Sequence, residues 1–324
     1  MFRTEISIDP SPARISMQDS IFSIGSCFAG VIGQRMKGFK FNTLINPFGT
    51  LYNPASIFGL LHDSLSHRLP SEASYVQRQE LHYNFKYHSD LVAEDRKTLE
   101  KMISEKLQQA HTFLEEAGWI IVTLGTARCY ERVDDGKVVA NCHKMPASFF
   151  RRRMLSPEEM SIRFEQLYPA IKSRNQNVKF VFTVSPVRHI KDTLTQNATS
   201  KASLRLAVDN IISNHPDDVF YFPSYEIMLD DLRDYRFYAP DMIHPNEVAQ
   251  DYIWEKWVDT YLDEQSLEFM IRWEKIRQAL QHRPFHPASD EHQRFVKKTI
   301  EQLQQLSTVV DVNEELKRMR KQLL

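Results

Sequence analysis

Four short apolar runs, separated by helix-forming segments, constrain the fold of this 324-residue chain most strongly. The runs end near residues 25, 125, 184 and 222, and each is followed at once by polar residues. Buried strands that alternate with helices are typical of a doubly wound α/β fold with a parallel sheet. Ligands bind such sheets outside the carboxyl ends of the strands. We therefore expect the polar clusters after the four runs to converge on one crevice.

The first run is predicted to be a strand that stops at Gly25 and leads into a helix beginning at Ser26 or Cys27. Free N–H groups and the helix dipole favour negative charge at a helix N-terminus. A thiolate is stabilised in that position, so Cys27 is predicted to be a nucleophile of lowered pKa. In the alternative interpretation, Ser26 caps the helix and Cys27 is a small core residue.

A carboxylate and an imidazole, Asp241 and His244, lie three residues apart just before the last helix predicted for the α/β unit. Within one turn the two side chains can face the same way, so that the carboxylate fixes the tautomer of the imidazole. An activated nucleophile needs this pairing of an orienting group with a base. In the alternative interpretation, both residues are loop positions with no chemical role.

Turn and cap residues organise the middle of the chain. Residues 46–54 hold two Asn-Pro pairs and one glycine, and they are predicted to form an ordered turn. Asn53 and Pro54 are predicted to cap and open a helix that runs to about Leu65. Ser200 is predicted to cap a helix that follows a long polar loop.

Residues 127–141 are predicted to form a hairpin that turns at Asp135-Gly136. Pairing about that turn sets Cys129 opposite Cys142 and returns Asn141 to the end of the apolar strand that stops at Gly125. Facing cysteines can form a disulfide or bind metal, but in a reducing compartment two half-buried thiols are expected.

Composition excludes several classes of protein. The net charge is −1, so no global field points to nucleic acid or to an anionic membrane. No run approaches the length of a transmembrane helix, and the first residues lack the apolar region of a signal peptide. Three cysteines do not make a disulfide framework, which predicts a cytoplasmic protein. The His and Cys spacings match no zinc motif, so no metal is expected.

The last part of the chain differs in composition from the rest. Residues 1–262 are predicted to be the α/β domain, and residues 263–324 are dominated by helix formers and charge. This extension is predicted to form two or three amphipathic helices. They pack either on the main domain or on a partner, which leaves a homo-oligomer open.

These residues carry a family resemblance. The pentapeptide from Gly25 to Ala29 reads Gly-Ser-Cys-Phe-Ala and resembles the signature of the GSCFA family. Further segments that resemble blocks of the family are residues 46–54, 124–126, 141–144, 185–189 and 241–245. The family in turn resembles the SGNH/GDSL hydrolases, flavodoxin-like three-layer α/β/α enzymes that act mostly on esters.

The resemblance implies roles for individual residues. Cys27 matches the nucleophilic serine of the superfamily, and Asp241 and His244 match the other two members of its triad. Gly49 resembles the glycine whose N–H helps to form the oxyanion hole, and Gly125 resembles the glycine of the Gly-x-Asn block.

The sequence departs from the superfamily pattern at two places. Cysteine replaces the nucleophilic serine, and Ser26 remains a rival nucleophile if the alignment slips by one residue. Ala127 stands where the oxyanion Asn would be, and Asn141 is the expected substitute if the hairpin returns it to the vacancy. An enzyme needs such a donor, because its loss costs on the order of 100- to 1000-fold in rate.

The resemblance implies an acyl hydrolase or acyltransferase that acts on an O-acyl ester, with carbohydrate esters as one substrate class. No cofactor is implied, although acyl coenzyme A is a co-substrate if the protein is a transferase. His143 and His88 are predicted to line the pocket, and Arg188 and His189 to bind an anionic group. The competing hypothesis is a non-catalytic module that binds a carbohydrate or a partner through a degenerate site.

Overall fold

The computed structural model describes residues 4–323. Its strands, in chain order, are β1 (Ser20–Gly25), β2 (Asn42–Ile45), β3 (Tyr75–Arg78), β4 (Leu81–Asn84), β5 (Ala117–Leu124), β6 (Arg128–Arg132), β7 (Val138–Val139), β8 (Phe150–Met154), β9 (Lys179–Val184) and β10 (Val219–Phe222). Its α-helices are α1 (Cys27–Gly38), α2 (Pro54–Leu65), α3 (Arg96–Glu116), α4 (Pro157–Lys172), α5 (Leu194–Asn214), α6 (Ser224–Leu229), α7 (Glu247–Tyr261), α8 (Glu264–Gln281), α9 (Asp290–Leu306) and α10 (Asn313–Arg320).

A five-stranded parallel sheet forms the centre, in the order β2-β1-β5-β9-β10. Counted along the chain within this sheet, the order is 2-1-3-4-5, which is the flavodoxin-like arrangement of a doubly wound fold. The predicted α/β architecture is therefore confirmed. The strand order reverses between β1 and β5, where Gly25 lies opposite Thr123, so a ligand crevice is expected at the end of β1.

Helices cover both faces of the sheet because side chains alternate along each strand. Phe22 and Ile24 of β1 point to one face, where they belong to a core shared with α2, α3, α4 and α5. Ile21 points to the other face and joins a core with α1, α6 and α7, which includes the buried Trp257. The result is a three-layer α/β/α domain.

The predicted hairpin register is wrong. Arg132 N–H donates to the Lys137 carbonyl, so the turn closes earlier on the returning strand than predicted, and Tyr130 lies opposite Val139. Cys129 instead lies opposite Arg153 of β8. The sequence analysis did not predict this strand. Cys129 and Cys142 are both free thiols.

The predicted start of α5 is also wrong. The helix begins at Leu194, and its N-cap is Thr193, whose side chain accepts from Gln196 N–H. Ser200 is therefore an interior residue of the helix, and it is 2% exposed. The loop after β9 is correspondingly shorter than expected.

The C-terminal extension forms three helices, α8 to α10, that pack on the same chain. Their own apolar cluster also contacts Met17 and Phe39 of the main domain. Trp273 Nε1–H donates to the Gly38 carbonyl at the end of α1, at 2.8 Å. Across residues 4–323, none of the helices combines the length and the apolar character that crossing a bilayer would require.

Candidate active site

Cys27 is the first residue of α1 and directly follows the turn that ends β1. Gly25 has φ +136°, and a Cβ there would lie 2.1 Å from the Thr123 carbonyl oxygen, so only glycine fits. Ser26 N–H donates to the same Thr123 oxygen at 3.0 Å. Its Oγ accepts from Phe28 N–H at 3.3 Å, which makes Ser26 the N-cap, and it is 1% exposed. This burial favours Cys27, which is partly exposed, over Ser26 as the reactive group.

The electrostatics of Cys27 differ from the sequence prediction of a lowered pKa. Burial raises the pKa of the Cys27 thiol above its ordinary value. The N–H groups of Cys27 and Phe28 act in the opposite direction, as a helix N-terminus should, and so does the Lys201 ammonium. Desolvation outweighs these contributions, so the resting side chain is a neutral thiol.

Asp241 and His244 form the expected pair. His244 Nδ1 and Asp241 Oδ2 are 2.6 Å apart, and the other carboxylate oxygen accepts from the N–H groups of Ile243 and His244. These backbone bonds, together with the imidazole, lower the pKa of Asp241 to about 2. The ionised carboxylate therefore accepts a hydrogen bond from Nδ1–H of His244, which leaves Nε2 unprotonated and able to act as a base.

The Asp241–His244 loop meets the loop that follows β9. Arg188 N–H donates to the Ile243 carbonyl at 3.4 Å, and the Arg188 guanidinium lies 4.3 Å from the ring centre of Tyr238. Arg188 therefore lies beside the His244 loop, as its proposed role in substrate binding requires.

Cys27 and His244 are at the same edge of the sheet but are not hydrogen-bonded. The Asp241 carboxylate contributes to the raised pKa of Cys27, so the two groups are within electrostatic reach. Within the described chain, 4–323, no hydrogen bond joins Cys27 Sγ to His244, whose side chain is 48% exposed. Catalytic hydrogen bonds often tighten only when substrate binds, so the open geometry is compatible with a triad.

The two glycines expected at the oxyanion hole have other partners. Gly49 N–H donates to the Asn46 carbonyl at 2.9 Å, within a turn where Gly49 has φ +78°. Gly125 N–H donates to the Tyr52 carbonyl at 2.8 Å, and a Cβ on Gly125 would lie 3.1 Å from that same oxygen. Both N–H groups are thus bonded within the loops, and an oxyanion role for Gly49 would require its N–H to leave the Asn46 carbonyl.

Asn141 is not delivered by the predicted hairpin register, because Tyr130 rather than Arg132 lies opposite Val139. Its Oδ1 accepts from His143 N–H at 2.8 Å, a local contact in the loop after β7. The prediction for Asn141 depended on the hairpin register, which is wrong. Ala127 is fully buried, and its N–H donates to Ser200 Oγ at 2.8 Å.

His143 is a buried structural residue rather than part of an open pocket. It is 3% exposed, and its Nε2–H donates to the Asn84 carbonyl at 2.9 Å while its ring stacks on Tyr83. Burial lowers its pKa, so the ring is neutral. The prediction that His143 lines the pocket is therefore wrong.

His88 and His189 lie next to loops of the site. His88 packs against Gly49, and its Nδ1 lies 3.0 Å from the Asp90 carboxylate. His189 packs edge-on against Tyr52, with ring centres 5.5 Å apart. Burial, with Lys201 and His244 nearby, lowers the pKa of His189 to about 4. A neutral His189 can donate a hydrogen bond to an anion but cannot supply a positive charge.

Sequence analysis missed Ser200 and Lys201 as parts of the site. Lys201 is 1% exposed, and its Nζ donates to the carbonyls of Gly125 and Ser185 at 2.8 and 2.6 Å. Ser200 Oγ bonds the Thr126 hydroxyl at 2.9 Å as well as Ala127 N–H. A signal was present, because both residues continue the stripe of buried residues in α5 at helical spacing.

Between residues 4 and 323, no group of three His, Cys, Asp or Glu side chains is arranged to hold a metal ion. The groups with nucleophilic and acid-base chemistry at this sheet edge are the Cys27 thiol and the Asp241–His244 pair. A partly exposed thiol at a helix N-terminus, at the same sheet edge as an oriented imidazole, defines a class, namely proteins with a potential cysteine nucleophile on a flavodoxin-like sheet.

The chain belongs to the GSCFA family, whose model matches residues 20–257. A second model, described as the C-terminal domain of GSCFA domain proteins, matches residues 273–324. The two matches cover the α/β domain and most of the three-helix extension. No curated protein matches the chain.

Proposed function

We propose that this GSCFA protein is an acyl hydrolase or acyltransferase that acts on O-acyl esters through Cys27, His244 and Asp241. The observation that carries the proposal is the 2.6 Å contact between His244 Nδ1 and Asp241 Oδ2, at the sheet edge where Cys27 opens α1. Nucleophile, base and orienting carboxylate are the three parts of a triad. The resemblance of the GSCFA blocks to those of SGNH/GDSL hydrolases supports the same class of reaction.

In the proposed reaction, Cys27 Sγ attacks the acyl carbonyl while the thiol proton passes to His244 Nε2. The tetrahedral intermediate then breaks its bond to the alcohol oxygen, and the leaving alcohol takes the proton from His244. Water or an acceptor alcohol next attacks the thioester, losing its proton to His244, and the thiol is regenerated. Asp241 stays ionised throughout and stabilises the imidazolium.

The raised pKa of Cys27 determines what His244 must do. A thiol that is neutral at rest needs a general base at the moment of attack, whereas a resting thiolate would not. For the oxyanion, the donor at the nucleophile is the backbone N–H of Cys27, which already favours negative charge on Sγ; Phe28 N–H is bonded to Ser26 Oγ. Arg188 and His189 are proposed to contact the substrate, and acyl coenzyme A is the proposed donor in a transferase.

A non-catalytic binding module is the second candidate, and specific observations favour it. The N–H groups of Gly49 and Gly125 are used within the fold, and Cys27 and His244 are not in contact. A site with a weakened oxyanion hole can still bind a carbohydrate or a partner.

Hydrolysis of 4-nitrophenyl acetate and of an acetylated oligosaccharide would separate the two candidates. In an active protein, the Cys27→Ala substitution is expected to reduce kcat/KM by at least about 1000-fold, because the nucleophile is lost. Intact-mass measurement should detect an acyl adduct on the native protein and none on Cys27→Ala.

Cys142→Ala is the matched control, since it removes another partly buried thiol that lies outside the triad. It should retain full activity. Full esterase activity in both Cys27→Ala and His244→Ala would exclude the triad. Absence of turnover together with saturable oligosaccharide binding would favour the binding module.

A further inference from the structure

Lys201 is a buried lysine, and among residues 4–323 no carboxylate is in contact with its Nζ. Its side chain lies in the interior of α5, fully enclosed, and its ammonium has two carbonyl acceptors, Gly125 and Ser185. A charge buried in this way is costly unless a second charge compensates it. Burial therefore disfavours the ammonium, and an anion within electrostatic reach would stabilise it.

The groups around Lys201 come from three parts of the fold. The groups whose negative charge favours the ammonium are Cys27, at the end of β1, and Glu226 of α6. The ring of Tyr225 lies 5.5 Å from Nζ, and His189, which is neutral, lies in the loop after β9. Glu226 is engaged by the Tyr221 hydroxyl at 2.7 Å, whereas Cys27 is a neutral thiol at rest and carries a negative charge only once it has lost its proton.

We infer that Lys201 is a positioning residue for Cys27. Its ammonium donates hydrogen bonds to the carbonyls that follow β5 and β9, beside the thiol. Its positive charge stabilises the thiolate as it forms. The inference rests on the proposed function only for the reason why a thiolate at Cys27 is needed, namely as the nucleophile. Asp241 opposes the effect, since its carboxylate disfavours a second negative charge on Cys27, and the Tyr52 hydroxyl also lies within reach of the thiolate.

The effect has a defined pH range. Burial lowers the pKa of Lys201 to about 7, so the positive charge is complete near pH 6 and largely lost by pH 9. Stabilisation of the thiolate by Lys201 should therefore be present in acid and neutral solution and disappear in alkaline solution. Loss of a purely structural contact would not depend on pH in this way.

The test is the rate of alkylation of Cys27 by iodoacetamide, followed peptide by peptide by mass spectrometry, in the native chain and in Lys201→Met. We expect alkylation of Cys27 in the variant to be about tenfold slower at pH 6 and within about twofold of native at pH 9, since one pKa unit corresponds to a factor of ten. Cys142, whose pKa burial alone raises to about 11, is the internal reference and should not respond to the substitution.

Lys179→Met is the matched control, because it removes the same charge from the opposite, amino-terminal end of β9. It should leave Cys27 alkylation unchanged at every pH. The inference would be overturned if Cys27 were alkylated at the same rate in the native chain and in Lys201→Met. It would also be overturned if the ratio of the two rates were the same at pH 6 and pH 9.

If Lys201→Met does not fold, the native chain alone still decides the question. Between pH 6.5 and 8 the loss of the Lys201 charge should offset part of the gain in thiolate. A plot of the logarithm of the Cys27 alkylation rate against pH should therefore have a slope below one. A slope of one across this range would contradict the inference. Because alkylation requires no turnover, these outcomes are independent of whether the protein hydrolyses esters.

Discussion

At the scale of single residues, the hydrogen-bond partner of each polar group decides which groups at the site remain available for chemistry. Ser26 and Cys27 are neighbours, yet the hydroxyl is enclosed as a helix cap and the thiol is partly exposed. Gly49 and Gly125 have the expected positions in the loops, but their N–H groups are already bonded. The position of a residue type can be predicted from sequence, whereas the partner of each N–H depends on the final loop geometry.

Asp241→Asn tests the orienting role at this scale. The amide would present a donor or a weaker acceptor to His244 Nδ1, and the base would adopt the wrong tautomer. We expect kcat to fall by about 10²- to 10⁴-fold with little change in KM, measured by steady-state ester hydrolysis.

Glu165→Gln is the matched control, because Glu165 also pairs with an imidazole, that of His215 at 2.9 Å, but far along the chain from the triad. Its activity should be native. An Asp241→Asn protein with native kcat would show that His244 does not depend on the carboxylate.

At the scale of secondary-structure elements, prediction succeeded where local patterns decide the outcome. The continuous apolar run of β5 and the Asn-Pro cap of α2 are local signals, and both elements form as expected. The failures were long-range or depended on loop closure. β8 pairs with β6 although residues 133–149 separate the two strands. Helix α5 begins at Leu194 because Thr193, at the end of a polar loop, caps it.

The turn between β1 and α1 should be intolerant of any side chain at Gly25. In Gly25→Ala the new Cβ would collide with the Thr123 backbone, and φ lies where L-residues are rarely found. We expect a loss of at least about 1–3 kcal/mol in the free energy of unfolding, measured by urea denaturation.

Gly30→Ala, one turn into the same helix, provides the comparison. A Cβ at Gly30 would have no atom within 4 Å. The free energy of unfolding should therefore rise by about 0.5–1 kcal/mol, because alanine is a better helix former than glycine. Equal effects of the two substitutions would mean that the backbone at Gly25 relaxes without cost.

At the scale of the whole molecule, the chain consists of an α/β domain and a helical extension that meet at the end of α1. Lys40 pairs with Glu315 at 2.6 Å, and the Arg277 guanidinium lies 5.1 Å from the ring centre of Phe39. The extension was expected to pack on the domain or on a partner, and the structure has it on the domain. Amphipathicity predicted the helices but not the surface that they cover, since an apolar stripe does not identify its partner.

Trp273→Phe tests this junction with little change in packing. The substitution removes the hydrogen bond to Gly38 but keeps an aromatic ring. We expect a loss of about 1 kcal/mol in the free energy of unfolding. Ile271→Ala, on the same helix but 61% exposed, should change stability by less than about 0.5 kcal/mol. Equal stability of Trp273→Phe and the native chain would indicate that the junction bond contributes nothing.

Helix α1 links the two parts, with Cys27 at its first residue and the Trp273 contact at its last. Its 12 residues make it about 18 Å long, and each added residue would turn one end by about 100° relative to the other. The length of α1 therefore fixes both the distance and the relative orientation of the thiol and the extension. Insertions and deletions within α1 should be less tolerated than substitutions on its exposed face, because only a change in length alters the direction in which the thiol points.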